Sequence, residues 1–362
     1  MKYLFVMTES NSVINFRKKL IELLVSKGHS VIVIAHDNLR EKDIRDLGAD
    51  FFCVKQDNRG LNPFAILKYR KNLTKIIKKE NPNVVFTFQL KPNTFGVKAS
   101  IKAGVKNVYS MVEGLGDVYI KNGLKWKIIR KVVNVLYKSA FKKSKAVFFL
   151  NNDDKLEFIN RKLVCENKCV VINGIGVDLN HFEFKPLKNS ANFLMVARMI
   201  KSKGIYEYLE CARRVKKLYP QATFNYLGKE GDITLGDIKE YVDDGSINYL
   251  GVTADVRPYL EDCTAFILPT YREGMPMSIM EAESVGRAII TTNAVGAKET
   301  VLDGYNGFKV EPKNVESLTE KVLELLKNQD NAIEMGKNSR AFAEQNFDSE
   351  KINNQIYQII NG

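Results

Sequence analysis

The feature that most constrains this chain is an alternation that runs along nearly its whole length. Short apolar runs without a strict in–out pattern are separated by longer stretches with helical spacing. Residues 2–7, 30–35, 51–54, 84–88, 108–112 and 146–150 read as strands. Residues 13–27, 64–79, 94–103 and 124–141 read as the helices between them, with stops at Gly28, at Asn81-Pro82 and at Gly104. Strands that are apolar throughout need cover on both faces, which marks a parallel sheet packed between helices. The pattern resumes with strands at residues 192–196, 223–227, 247–250, 265–268, 288–291 and 307–310, and a helix at 204–218. A break in composition near 184–192 places a linker at residues 180–192.

A chain of 362 residues is long for one core and suits two. The expectation is therefore two Rossmann-like α/β domains, residues 1–180 and 181–346, and a separate amphipathic helix in 347–362. Sheets of this kind bind ligands outside the carboxyl ends of their strands, and two of them facing one another would leave a cleft there.

Composition excludes several functions. No apolar run is long enough to cross a membrane. The first strand is too short for a signal peptide and no small-residue cleavage site follows it, so the chain is expected to stay in the cytoplasm. Five scattered cysteines do not form a disulfide framework, and Cys165 and Cys169 lack a second pair for zinc. Three histidines far apart in sequence, His29, His36 and His181, argue against a His-centred triad. Charge is uneven: residues 51–150 carry 21 Lys and Arg against 4 Asp and Glu. The first half therefore wants an anionic partner.

Three stretches in the second half carry chemistry. Glu273-Gly274-Met275-Pro276-Met277-Ser278-Ile279-Met280-Glu281 follows the apolar run 265–268. It reads as loop, then helix start, with Pro276 at the first helical position, where the missing N–H costs nothing. Free N–H groups from Gly274 to Met277 would cradle an anion such as a diphosphate, and Gly274 lets it approach closely. Arg198 ends a strand, and Lys203 stands before a helix start, where a cation opposes the macrodipole unless an anion is bound. Further on come Val295-Gly296-Ala297-Lys298-Glu299 and Asp303-Gly304-Tyr305-Asn306-Gly307.

The two glutamates eight apart resemble the E-x7-E motif of retaining glycosyltransferases of the GT-B fold, family 4 in particular. Arg198 to Gly204 resembles that family's phosphate-binding R-x4-K-G, and residues 295–307 its G-G-x-x-E…G-x-N-G. Asn173-Gly174-Ile175-Gly176-Val177-Asp178 is similar to its N-G-V-D junction, with two extra residues. The matches fall in the family's order over residues 173–310.

The resemblance implies a nucleotide-sugar transferase. Arg198 and Lys203 would hold the diphosphate, Gly274, Met275, Pro276 and Met277 would bind sugar or phosphate through their backbone, and Asn173 would touch the phosphates. Glu273 would contact the transferred sugar, and Glu281 the ribose hydroxyls. With these donors no metal or other cofactor is required, and the sequence has no Asp-x-Asp.

The first domain would bind the acceptor. Met7 to Ser12 stands where relatives have a glycine-rich loop, with Ser12 and Asn15 as polar candidates. Glu113-Gly114-Leu115-Gly116 resembles a segment of bacterial members that extend polyprenyl-diphosphate-linked sugars in capsule, O-antigen or glycan assembly. Ser110, Glu113 and Asp117 are the polar residues there, with Glu113 the choice for a catalytic or acceptor-side role. The basic amphipathic stretch 124–143 reads as a helix resting on anionic lipid at the inner membrane surface, or alternatively as an ordinary helix with a solvated lysine face.

The resemblance favours a UDP-linked hexose or N-acetylhexosamine donor. A soluble acceptor or a sugar-nucleotide epimerase is the alternative, and a nucleic-acid-binding protein a remote one, since the basic charge comes with no recognition motif. The lack of G-x-G-x-x-G after the first strand counts against a nicotinamide enzyme.

Overall fold

A computed structural model describes residues 1–57, 62–121, 123–187 and 190–362, with the side chain of Asp117 outside the description. Positions 188 and 189 of the expected linker are likewise outside it. The chain forms two compact units: residues 1–175 with 350–362, and residues 176–349. The divisions expected from the sequence, 180/181 and 346/347, differ from these by a few residues.

In the first unit, β1 (Lys2–Val6), β2 (Ser30–Ala35), β3 (Ala49–Cys53), β4 (Val84–Phe88), β5 (Asn107–Val112), β6 (Ala146–Phe149) and β7 (Cys169–Val171) form one sheet, ordered β3-β2-β1-β4-β5-β6-β7. Every pairing is parallel, with Leu4 opposite Ile32 on one side and Val85 on the other. Helices α1 (Ser10–Ser26), α2 (Glu41–Asp46), α3 (Pro63–Glu80), α4 (Val97–Lys102), α5 (Asp117–Ile120), α6 (Leu124–Phe141) and α7 (Asn152–Asn160) connect the strands. The inner strands β1, β2, β4, β5 and β6 are buried nearly end to end, as a parallel sheet covered on both faces requires.

Two helices differ from the sequence reading. Helix α1 starts at Ser10, so Ser12 lies in its first turn rather than in a loop; Ser10 donates its hydroxyl to Asp37. The helix expected over 94–103 opens with a π-turn, Pro92–Gly96, before α4.

The second unit repeats the plan with β8 (Asn192–Val196), β9 (Thr223–Leu227), β10 (Asn248–Tyr249), β11 (Ala265–Leu268), β12 (Ala288–Thr292) and β13 (Gly307–Val310), ordered β10-β9-β8-β11-β12-β13 and all parallel. Its helices are α8 (Ile205–Leu218), α9 (Leu235–Asp243), α10 (Arg257–Asp262), α11 (Met277–Val285), α12 (Val315–Lys327) and α13 (Gln329–Asn346). The last helix, α14 (Ser349–Asn361), belongs almost wholly to the first unit. There Tyr3 donates to Asn361, and Tyr357 bonds the His29 ring at 3.1 Å. His29 thus has a structural partner.

Each sheet has one place where the order reverses: between β1 and β4 in the first, and between β8 and β11 in the second. In open α/β sheets the carboxyl ends of the strands at such a point form a crevice for ligands.

Candidate functional site

At the reversal point of the second unit, β8 ends two residues before Arg198, and β11 leads into Glu273. Lys203 closes a 3₁₀ turn, Lys201–Lys203, ahead of α8. The following Gly204 has φ +75°, and a Cβ there would lie 1.9 Å from the Pro269 carbonyl oxygen, so only glycine lets the two loops touch.

That contact brings together residues 70 positions apart: Lys203 Nζ stands 2.5 Å from Glu273 Oε1. Thr270, which the sequence does not single out, shares its one hydroxyl proton between Glu273 Oε1 at 2.8 Å and the Ser202 carbonyl at 3.0 Å. Its place in the turn directly after an apolar strand was the available signal. The third motif joins as well: Glu273 N–H donates to the Val295 carbonyl at 2.8 Å, and Gly296 packs against the carbonyls of Glu273 and Gly274 where a Cβ would overlap both.

Pro276 is not the first helical residue. Its ψ of 110° makes it the N-cap, and α11 begins at Met277. The proline still leaves no N–H to satisfy at the turn, while Met277 and Ser278 open the helix with N–H groups that no earlier turn can accept.

Glu281 lies on the second turn of α11, half-buried, and has no hydrogen-bond partner among the described residues. Burial pushes its carboxyl up to about 8. An unpaired carboxyl in such surroundings is suited to hydroxyl donors from a ligand. Arg198 is exposed, and its guanidinium has no hydrogen bond or ion pair among the described residues. Glu283 and Asn306 serve the core instead: Asn306 donates to Glu283 Oε1 at 2.8 Å and accepts from Leu302 N–H at 2.7 Å, both side chains fully buried.

The first unit has its own cluster at its reversal point. Glu113 follows β5, its side chain 19% exposed. The guanidinium of buried Arg17 pairs with Glu113 Oε1, and Gln89 Nε2 donates to Oε2 at 2.8 Å. Burial pulls Arg17 below its ordinary value, and the charge of Glu113 opposes that pull. Gly114 and Gly116 hold φ of 139° and 62°, with Leu115 buried between them. Ser110 is buried and bonded to Thr87 and Ser144, so it supports the core.

Ser12 is half-buried and Asn15 exposed on α1, and neither side chain is joined to Glu113. Asn173 is exposed and lies in the first unit. A separate cavity of about 700 Å³, lined by His36, Lys55, Lys68 and Tyr69 among others, includes none of these motif residues. Among the described residues, no group of three or more His, Cys, Asp or Glu is placed to hold a metal ion.

Residues 2–151 match the family model "Glycosyl transferase 4-like", and residues 190–328 match "Glycosyl transferases group 1". The N,N'-diacetylbacillosaminyl-diphospho-undecaprenol alpha-1,3-N-acetylgalactosaminyltransferase of Campylobacter jejuni is 32% identical over 342 residues, covering 91% of this chain and 90% of its own. The chain belongs to the family 4 glycosyltransferases. A second relative of this glycosyltransferase is the UDP-Gal:alpha-D-GlcNAc-diphosphoundecaprenol alpha-1,3-galactosyltransferase of Escherichia coli, 29% identical over 319 residues, with 82% of this chain and 80% of that one covered. The crystal structure of Anabaena HepE with UDP-glucose shares the GT-B fold at a TM-score of 0.83 and 17% identity, covering 100% of this chain and 99% of that one. The expected fold class and enzyme class are thus both borne out.

Proposed function

We propose that this glycosyltransferase moves a hexose or N-acetylhexosamine from a UDP-sugar to a polyprenyl-diphosphate-linked sugar, with retention, in surface polysaccharide or glycan assembly. The observation that carries the reading is the meeting of Lys203 and Glu273 at the carboxyl ends of β8 and β11. A diphosphate there would accept from Arg198, Lys203 and the N–H groups that open α11. Those donors would neutralise the charge that develops as the diphosphate leaves, with no metal needed. Glu273 would hold hydroxyls of the transferred sugar, and Glu281 the ribose hydroxyls. The names of the two relatives, both acting on undecaprenol-diphosphate-linked sugars, support the acceptor class.

In the front-face route, the acceptor oxygen forms its bond to the anomeric carbon as the bond to the diphosphate oxygen breaks. The acceptor's proton passes to that departing oxygen. Glu113 would accept a hydrogen bond from a hydroxyl of the acceptor.

A lipid-linked acceptor calls for a membrane surface, and α6 supplies the supporting feature. Val133, Tyr137, Ala140 and Phe141 face the core. At 100° per residue, Leu124, Ile128, Val132 and Val135 form a row on the opposite side, each more than half exposed. Lys127, Lys131 and Lys138 run beside that row, all exposed. An ordinary surface helix turns polar residues outward; an apolar row edged with lysines fits an anionic bilayer. No described helix is long and apolar enough to cross a membrane, so the protein would lie on the inner leaflet as a peripheral enzyme.

The test is a thermal-shift titration of wild type and Arg198→Ala with UDP, GDP, ADP and NAD in EDTA. Stabilisation by UDP alone, lost in the variant, is expected. Stabilisation by NAD alone, or by none of the four, would overturn the donor assignment.

A further inference from the structure

The end of β4 carries a backbone that its sequence does not favour. Gln89 holds φ +64°, a region that glycine enters freely and glutamine rarely does. Such outliers persist where surrounding structure fixes them, and they gather at working sites. Here the fixing bonds are visible. The Gln89 carboxamide oxygen accepts from Thr8 N–H at 3.1 Å, just past the end of β1. Its nitrogen donates to Glu113 Oε2 at 2.8 Å, just past the end of β5. One side chain therefore ties together the ends of three neighbouring strands, β1, β4 and β5, at the reversal point of the sheet.

Arg17 completes the arrangement. Its guanidinium pairs with Glu113 Oε1 and lies 4.4 Å from the centre of the Phe88 ring. Arg17 is only 2% exposed, so it does not reach outward itself. Each carboxylate oxygen of Glu113 thus has one fixed partner, which sets the plane and rotamer of the group. Its remaining lone pairs are left for an incoming donor, because the side chain keeps 19% of its surface exposed.

We propose that Gln89 is a positioning residue for the acceptor: through Glu113 it sets which hydroxyl of the acceptor sugar is aligned for transfer. The proposal rests on the reading that the first unit binds the acceptor at Glu113. The strained backbone is the means by which the carboxamide reaches both Thr8 and Glu113, so position is obtained at the expense of local conformational preference. A carboxylate displaced by even an ångström would admit a neighbouring hydroxyl, and misplacement of that size costs transfer about 100-fold.

The experiment compares wild type, Gln89→Gly, Gln89→Glu and Glu113→Gln. Each is given UDP-N-acetylgalactosamine and a short-chain polyprenyl-diphosphate N-acetylglucosamine. Thermal midpoint, kcat, acceptor KM, donor KM and product linkage by NMR are read for each. Gln89→Gly relieves the left-handed strain while removing the carboxamide. It is expected to melt at or above wild type, to lose roughly 10- to 100-fold in kcat at unchanged donor KM, and to give mixed linkages. Gln89→Glu, which sets a second carboxylate against Glu113, is expected to lose more.

If Gln89→Gly keeps wild-type kcat and a single linkage while Glu113→Gln loses activity, the positioning proposal falls and the acceptor reading stands. If Glu113→Gln is itself indistinguishable from wild type, the acceptor reading at Glu113 falls. A drop in thermal midpoint in Gln89→Gly with linkage unchanged would also overturn the proposal, since it would make the residue a cross-link only.

Discussion

The two units use the same sheet plan and treat its reversal point in opposite ways. In the first, the cation is sealed in: Arg17 is buried under Phe88, and both oxygens of Glu113 are already bonded to protein. In the second, the cations are the more accessible groups: Arg198 is exposed, Lys203 keeps 24% of its side-chain surface beside Glu273, and half-buried Glu281 has no partner among the described residues. The first arrangement fixes the direction of one carboxylate. The second leaves charge and lone pairs for a ligand that brings its own. A shared fold therefore sets where chemistry can happen, and the loops after the strands decide whether the cation there is buried or accessible.

The comparison breaks first on stability. Glu113→Ala leaves Arg17 buried without its counter-charge, and about 3–5 kcal/mol of stability is expected to be lost. Glu273→Ala, which leaves the more accessible cation Lys203 behind, is expected to lose about 1 kcal/mol. Urea unfolding of both variants checks the contrast, and equal losses would erase it.

On activity, Arg198→Ala is expected to lower kcat by about 10²- to 10³-fold, the usual effect of removing one donor to a developing anion. Arg198→Ala should leave the melting temperature unchanged, because the guanidinium has no partner among the described residues to lose. Steady-state transfer kinetics beside a thermal melt read both. A destabilised Arg198→Ala would mean that the open site is a structural one.

A smaller effect concerns the bilayer. Lys127→Gln with Lys131→Gln removes two charges worth about 1 kcal/mol each at an anionic surface. Sedimentation with vesicles containing one-third phosphatidylglycerol is expected to show roughly 30-fold weaker binding, with none of that loss on neutral vesicles.

A separate effect is the pH dependence at Glu281. Its folded-state carboxyl titrates at about 8, above the ordinary carboxylate range, so the folded protein binds a proton that the unfolded chain releases. Stability from this group falls as pH rises from about 4.5 to 8. Wild type is expected to show a lower urea midpoint at pH 8.5 than at pH 6, with that difference reduced in Glu281→Gln. Ligand hydroxyls that donate to the carboxylate would favour its charged form, so UDP affinity is expected to rise as pH approaches about 8 and to level off above it.

Much of the fold was legible because parallel strands buried on both faces must be apolar throughout; 84–88, 192–196, 265–268 and 307–310 were read with the bounds the structure has. Strand β7 went unread because its apolar run, Cys169-Val170-Val171, is only three residues long. Of the site, Lys203 and Glu273 were legible through their motifs, but their contact was not: it depends on Gly204 fitting against Pro269, a tertiary fact.

Arg17 and Gln89 were missed for the same reason. An arginine on an amphipathic helix reads as solvated, and nothing local tells that its partner lies 96 residues away. Pro276 was misplaced by one position because a proline suits either the cap or the first helical residue.

The most direct test of the whole account is transfer itself. Purified protein would be incubated in EDTA with UDP-N-acetylgalactosamine and a polyprenyl-diphosphate N-acetylglucosamine in anionic vesicles, the product read by mass and by the coupling of its new anomeric proton. The expected product is an acceptor heavier by one sugar, joined with the donor's α configuration and formed without added metal. No transfer from any UDP-sugar to such an acceptor, or a β-linked product, would contradict it.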